Sequence, residues 1–231
     1  RTQFAISNEE IRYYLNGIFL HTVDGPDGPL FRAVATDGHR LARADIVAPK
    51  GAEGMPGIIV PRKTVGEIQR LIEDPKAELK VELSDAKIRL TVGNVVLTSK
   101  LIDGTFPDYG RVIPQGNDKE LRVDKAEFAE AVDRVSTISS ERGRAVKLAL
   151  AEGRLVLTVV NPDSGTATEE VMVDYADTPL EIGFNARYLL DIAGQLTSET
   201  AVFHLADAGS PTLIQDAGDG ATLYVLMPMR V

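Results

Sequence analysis

No cysteine and no tryptophan occur in this chain, and histidine occurs only three times. Without Cys there is no disulfide, no thiolate nucleophile and no Cys-based zinc site, which fits a reducing cytoplasm, so the expected localisation is cytoplasmic. No apolar run reaches the roughly eighteen residues that a membrane-spanning helix needs. No stretch of these residues reads as a secretory leader, and no Asn-x-Ser/Thr acceptor occurs among them. The Gly-x-Ser-x-Gly elbow, the Walker loop and Gly-x-Gly-x-x-Gly are missing as well; Gly218-Asp-Gly220 reads as a turn. Positive charge is in deficit: 25 Lys and Arg face 34 Asp and Glu, a net −9. That keeps the surface soluble and argues against a broadly basic nucleic-acid-binding face, although a local one is compatible with it.

What is present is ordinary globular composition, 44% hydrophobic and 26% charged over 231 residues, enough for one large or two ordinary domains. It is organised as an internal repeat of near half the length. Ala5-Ile-Ser-Asn-Glu9 matches Thr137-Ile-Ser-Ser-Glu141, and Arg12 then matches Arg144. Each Arg is expected to open an apolar strand, residues 13–23 and 145–151. In the second half Glu152-Gly153 is a tight hairpin turn; in the first half the turn is read as longer, residues 24–29. The returning strands match too, 33–36 against 158–161.

A strand-then-helix pair recurs: Ile59-Val60 before a helix over 61–72, and Gly183-Phe184 before one over 185–196. Val65, Ile68 and Ile72 share the i, i+3, i+7 spacing of Leu189, Ile192 and Leu196. Pro61 suits a helix start and Asn185 an N-cap. Three strands follow in each half, 78–83, 88–92 and 95–101, then 201–205, 212–215 and 221–227, with Gly93-Asn94 as a two-residue turn. A further helix over 124–139 opens on Asp124 with Glu127 as a capping box, and Phe128, Ala131, Val132, Val135 and Ile138 form its apolar stripe. By the repeat, the first half should carry a matching helix ending near Ser7. Its first turns would precede Arg1, so upstream sequence is expected. The pattern predicts an α+β fold in two units joined by the Gly- and Pro-containing stretch 103–114. The repeat makes residues 227–231 the counterpart of 100–104.

Chemistry-bearing clusters are few. The densest is Thr36-Asp-Gly-His-Arg40. One reading is an α+β hydrolase in which Asp37 and His39 are base and orienter, or metal ligands. The other is a strand-to-strand turn, favoured because nothing else in the sequence completes a triad or metal site; no cofactor or metal is expected. Glu169-Glu170 reads as a solvated strand edge. Arg62, Lys63 and Arg70, Lys125 and Arg134, and Arg187 sit on the three helices, either as solvated faces or as candidate DNA-facing cations. The last eight residues, Tyr224-Val-Leu-Met-Pro-Met-Arg-Val231, stay apolar almost throughout. With Leu41, Pro107 and Val112 they fall at equivalent ends of the repeated units. That is either interdomain packing or a groove for an apolar peptide, a use to which polarizable Met side chains are suited.

Seven segments then resemble one family in order along the chain. They are Arg12-Tyr-Tyr-Leu-Asn-Gly17, Ala35-Thr-Asp-Gly-His-Arg-Leu41, Pro61-Arg-Lys63, Ser99-Lys-Leu-Ile-Asp-Gly104, Phe106-Pro-Asp-Tyr109, Glu181-Ile-Gly-Phe-Asn185 and the run from Tyr224 to Arg230. They are similar to the β subunit of bacterial DNA polymerase III, the replicative sliding clamp. The resemblance implies repeated clamp domains, with helices in one layer and antiparallel sheets in the other. Residues 1–108 would be the middle domain and 109–231 the C-terminal one. It implies a non-catalytic processivity factor whose full-length homodimer closes a ring around duplex DNA. The polymerase, clamp loader and repair proteins would dock through short Gln/Leu/Phe peptides. The groove for them would be walled by Leu15, Thr36, Gly38, His39, Arg40 and Leu41, by Pro107, Arg111 and Val112, and by Asn185, Tyr188, Val225, Leu226, Met227, Pro228, Met229 and Arg230. Tyr13 and Tyr14 match positions implicated in DNA contact. Val231 in place of Leu, and Gly209-Ser-Pro211 where Val and Ser are usual, depart from the family pattern.

Overall fold

A computed structural model of the chain describes residues 1–72, 74, 76–139 and 144–231. Glu73, just past the expected first helix, and Ser140 and Glu141 of the repeat match lie outside the described residues. The chain divides into two compact units, Arg1–Asp108 and Tyr109–Val231.

In the first unit a 3-10 turn, Gln3–Ala5, and a second, Tyr13–Leu15, precede β1 (Gly17–Gly25), β2 (Gly28–Thr36), β3 (Arg40–Val47) and β4 (Ile58–Pro61). Then come α1 (Arg62–Leu71) and the meander β5 (Leu79–Leu83), β6 (Lys87–Val92) and β7 (Val95–Lys100). The strand orders are β4-β1-β2-β3 and β5-β6-β7, antiparallel throughout.

In the second unit a 3-10 turn, Tyr109–Val112, leads to β8 (Lys119–Asp124) and α2 (Lys125–Ser136). The strands β9 (Ala145–Ala151), β10 (Arg154–Asn161), β11 (Gly165–Met172) and β12 (Leu180–Asn185) follow, then α3 (Ala186–Ala193), β13 (Thr200–Leu205), β14 (Thr212–Asp216) and β15 (Thr222–Leu226). Here the orders are β11-β10-β9-β12 and β15-β14-β13-β8, again antiparallel. Each unit is thus α+β.

The local chemistry explains most of this. In β9 Val146, Leu148 and Leu150 are buried while the residues between them are not, the period-two pattern of a half-covered sheet. Ala151 pairs with Arg154 across the Glu152-Gly153 turn, where Gly153 has φ +68°. Helix α2 starts where the Asp124 carboxylate accepts from Glu127 N at 2.8 Å. Its stripe of Phe128, Ala131, Val132 and Val135 is buried, and Phe128 meets Phe203 of β13 edge-on at 5.2 Å. Each such large apolar side chain contributes about 1.5–3 kcal/mol by burial. Helices α2 and α3 pack on each other, α2 also against β8 to β11 and α3 against β12, while α1 lies on β1, β4 and β7.

Three expectations are corrected. Residues 13–15 are a 3-10 turn, not the start of a strand; β1 begins at Gly17, where a Cβ would lie 2.9 Å from the Val60 carbonyl carbon. The turn read over 24–29 is tighter, because Asp24 pairs with Pro29 and Gly25 with Gly28. Glu169 and Glu170 do lie on the edge strand β11, and Glu169 there accepts from the Arg134 guanidinium. The helices stop earlier than the apolar spacing suggested, at Leu71, Ser136 and Ala193, so Ile138 lies beyond α2.

Candidate functional site

The most elaborate polar structure of the first unit is the turn joining β2 to β3. Asp37 Oδ1 accepts from the backbone N of His39 at 2.9 Å and of Arg40 at 3.0 Å, and Oδ2 accepts from Arg40 Nε at 3.1 Å. Thr36 Oγ1 donates to Arg40 O at 2.7 Å and accepts from Gly38 N at 3.1 Å. Arg12 reaches the same turn, donating to Asp37 O at 3.2 Å while its guanidinium grips Glu9 at 2.6 and 2.8 Å. The Arg12 hydrogen bond holds the Glu9 carboxyl below its ordinary range. Arg40 extends the other way, donating to Phe4 O at 2.8 Å with its guanidinium 5.0 Å above the Phe4 ring.

These bonds overturn the hydrolase reading. Both Asp37 oxygens hold the turn and Arg40, so the carboxylate is a structural cap rather than the orienter of a base. Among the described residues no three His, Cys, Asp or Glu gather as a metal site. Gly38 is required: its φ is +89°, and a Cβ there would sit 2.7 Å from Arg12 Nη1. Gly38→Ala is therefore expected to cost about 1–2 kcal/mol from the left-handed backbone alone, readable in chemical denaturation.

Of the other first-unit candidates, Leu15 and Leu41 are buried, His39 and Pro107 are exposed, and Thr36 and Arg40 are half-buried. Tyr13 is exposed and meets the half-buried Tyr14 edge-on at 5.8 Å.

In the second unit Asn185 caps α3, its side-chain oxygen accepting from Arg187 N at 3.0 Å and Tyr188 N at 3.4 Å. That cap fixes where the half-buried Tyr188 lies. Arg111 and Val112 are exposed in their 3-10 turn. Strand β15 ends at Leu226, and the candidates divide there. Val225 and Leu226 are 2% and 0% exposed, core residues, whereas Met227 is 40% exposed. Pro228 and Met229 are half-buried and Arg230 is exposed. The segment does not trail away, because Met229 N donates to Gly183 O of β12 at 2.9 Å. Beside it opens a cavity of about 890 Å³, floored by β9, β10 and β12 and walled by residues 228–231 and the loop at Ala208 and Gly209. Sequence reasoning missed its floor residues Lys147, Thr158, Val160 and Glu181. The one available signal was Gly183, a glycine inside an apolar strand.

The candidate DNA-facing cations are not equivalent. Arg70 pairs with Glu67 at 3.0 Å, and Lys125 donates to Leu196 O at 3.1 Å. Arg134 is held by Glu169 and Glu130, hydrogen bonds that raise its pKa. Arg62, Lys63 and Arg187 are exposed, with no such partner among the described residues. Arg187 borders a polar hollow of about 320 Å³ with Arg144, Ser136 and Thr137.

Comparison with known proteins agrees over the full length. Residues 1–108 match the model of the DNA polymerase III beta subunit central domain, and residues 110–230 that of its C-terminal domain. The beta sliding clamp of Caulobacter vibrioides is 56% identical over 231 residues, and that of Escherichia coli 40% over 232. Each alignment covers 100% of this chain and 62% of the relative, so the chain spans about three-fifths of their length. A crystal structure of a DnaN sliding clamp from Bartonella birtlesii bound to griselimycin superposes with a TM-score of 0.95 at 59% identity, covering 100% of this chain and 62% of that one. With both domain models matched in order and relatives well above 30% identity, the chain belongs to the DNA polymerase III beta subunit family, the beta sliding clamps.

Proposed function

We propose that this chain is the middle and C-terminal part of a sliding clamp, a non-catalytic processivity factor. In the full-length protein, two subunits close a ring around duplex DNA. Enclosure rather than tight binding would supply processivity, which suits a chain of net charge −9. Arg62, Lys63 and Arg187 are the cations best placed to touch phosphates without reading sequence, because their charge is not already answered within the described residues. Arg134, Arg70 and Lys125 are committed to neighbours and contribute less.

The polymerase, the clamp loader and repair proteins would be tethered by short Gln/Leu/Phe peptides. Their groove would be walled by Leu15, Thr36, Gly38, His39, Arg40 and Leu41, by Pro107, Arg111 and Val112, by Asn185 and Tyr188, and by residues 227–230. The observation that carries this reading is the abrupt change at Met227, where a fully buried strand gives way to an accessible Met-Pro-Met run held in place by backbone. Thioethers so presented adapt to an apolar side chain from a partner.

The test is fluorescence anisotropy with a labelled Gln-Leu-x-Leu-Phe peptide. Binding is expected at micromolar Kd or tighter. Met227→Ala with Met229→Ala should weaken it about tenfold, near 1.4 kcal/mol, as buried anchors do. Equal affinity for the parent and the double variant would remove the groove assignment.

A further inference from the structure

Gly183 lies in the middle of β12, buried, with the extended backbone of an ordinary strand. It is therefore not required for a left-handed turn. A Cβ there would stand 2.5 Å from the Met229 carbonyl oxygen and 2.9 Å from Val231 Cγ2, and closer still to Val231 Cγ1. The missing side chain makes room for residues 229–231, which lie against the strand. Met229 N closes the contact on Gly183 O, and the two residues form an antiparallel bridge.

The repeat supplies an independent comparison. In the first unit Ile102 N donates to Ile59 O at 2.9 Å, as Met229 N does to Gly183 O. Ile59 and Gly183 are repeat partners, and so are Ile102 and Met229. Both acceptors lie on the strand before a helix, and both donors follow the last strand of their unit. The bond is thus shared by both units, but the side-chain sizes around it are reversed. The first unit has a buried Ile at 59, and Gly104 at the position equivalent to Val231. The second has Gly at 183 and places Val231 over it.

We propose that Gly183 is the positioning seat of residues 227–231. Its bare Cα lets backbone and Val231 lock onto β12, and this holds Met227 and Met229 where a partner peptide meets them. Gly183 acts through the segment and touches no partner itself. The last step rests on the peptide-groove reading above; the seat itself does not.

The experiment uses the 231-residue chain with Gly183→Ala and, separately, Val231→Gly, which leaves β12 intact should the first variant fold poorly. Two quantities are read: hydrogen exchange of the Met229 amide by NMR, and Kd for the labelled peptide. Met229 exchange is expected to speed up at least tenfold in Gly183→Ala and threefold in Val231→Gly, with the Phe203 amide in β13 unchanged. The peptide Kd should rise about tenfold in Gly183→Ala. Met229 protection equal to the parent in both single variants would overturn the seat. Faster exchange with an unchanged Kd would keep the seat and instead remove residues 227–230 from the groove.

Discussion

Asp216→Ala lowers the stability of the second unit by about 3 kcal/mol or more. The carboxylate is 4% exposed at the end of β14 and is surrounded by donors. Thr197 N and Ser198 N each reach Oδ1 at 2.8 Å, Ser198 Oγ does so at 2.9 Å, and Thr197 Oγ1 reaches Oδ2 at 3.0 Å. Alanine removes the acceptor that these donors share; the Ser198 hydroxyl can still turn to Thr200 O at 2.7 Å, but each part-buried backbone N–H that loses its acceptor costs about 1–3 kcal/mol. Burial alone would push this carboxyl up; the hydrogen bonds from Ser198 and Thr197 outweigh it and hold it below its ordinary value. A depressed folded-state pKa gives stabilisation that is full above the unfolded value, about 3.9, and is lost as pH falls through the folded value. The parent should therefore lose stability on acidification below about pH 4 more steeply than Asp216→Asn does. Urea unfolding followed at several pH values checks both statements; an alanine variant as stable as the parent at pH 7 would refute the clamp of donors.

Phe106→Ala is expected to destabilise the first unit by about 3 kcal/mol, the lower end for a buried aromatic because the ring keeps 8% exposure. Its ring stacks on Phe19 at 4.9 Å and 8°, and Phe19 stacks in turn on His21 at 4.5 Å. Phe19 cannot swing away, since a Cβ on Gly57 would lie only 2.7 Å from its ring. The cavity left by alanine would thus stay largely open, which is the costly case. Phe106→Tyr should retain most of the stability. Unchanged denaturation midpoints for Phe106→Ala would show that the stack carries no weight.

Sequence reasoning succeeded where one residue type suffices for one local task. Asp124 and Asn185 cap helices because a short side-chain acceptor before a helix has few other roles. Gly153 turns a hairpin because its neighbours alternate cleanly. It failed where a distant contact overrode the local signal. Tyr13, Tyr14 and Leu15 favour a strand by propensity, yet form a 3-10 turn whose Leu15 carbonyl accepts from Ser7 N. Glu169 is edge charge as read, but its partner Arg134, thirty-five positions away, had no local signal. In the candidate site the segments were legible but not the division at Met227, which depends on where β15 stops. Arg40 looked like a polar turn residue, and nothing local announced its hold on Phe4. Gly183 was quoted within a matching segment, but an absent side chain states no purpose until the atoms filling its space are seen.

The single bridge between Gly183 and Met229 also has a mechanical side. Load applied at Val231 would fall on one backbone hydrogen bond and a few van der Waals contacts, which yield one after another as in an unzipping tear. Strand β15 itself pairs with β14 over three consecutive residue pairs and would have to shear them together. The segment thus behaves as a fuse: it peels at low force and leaves the sheet behind it intact.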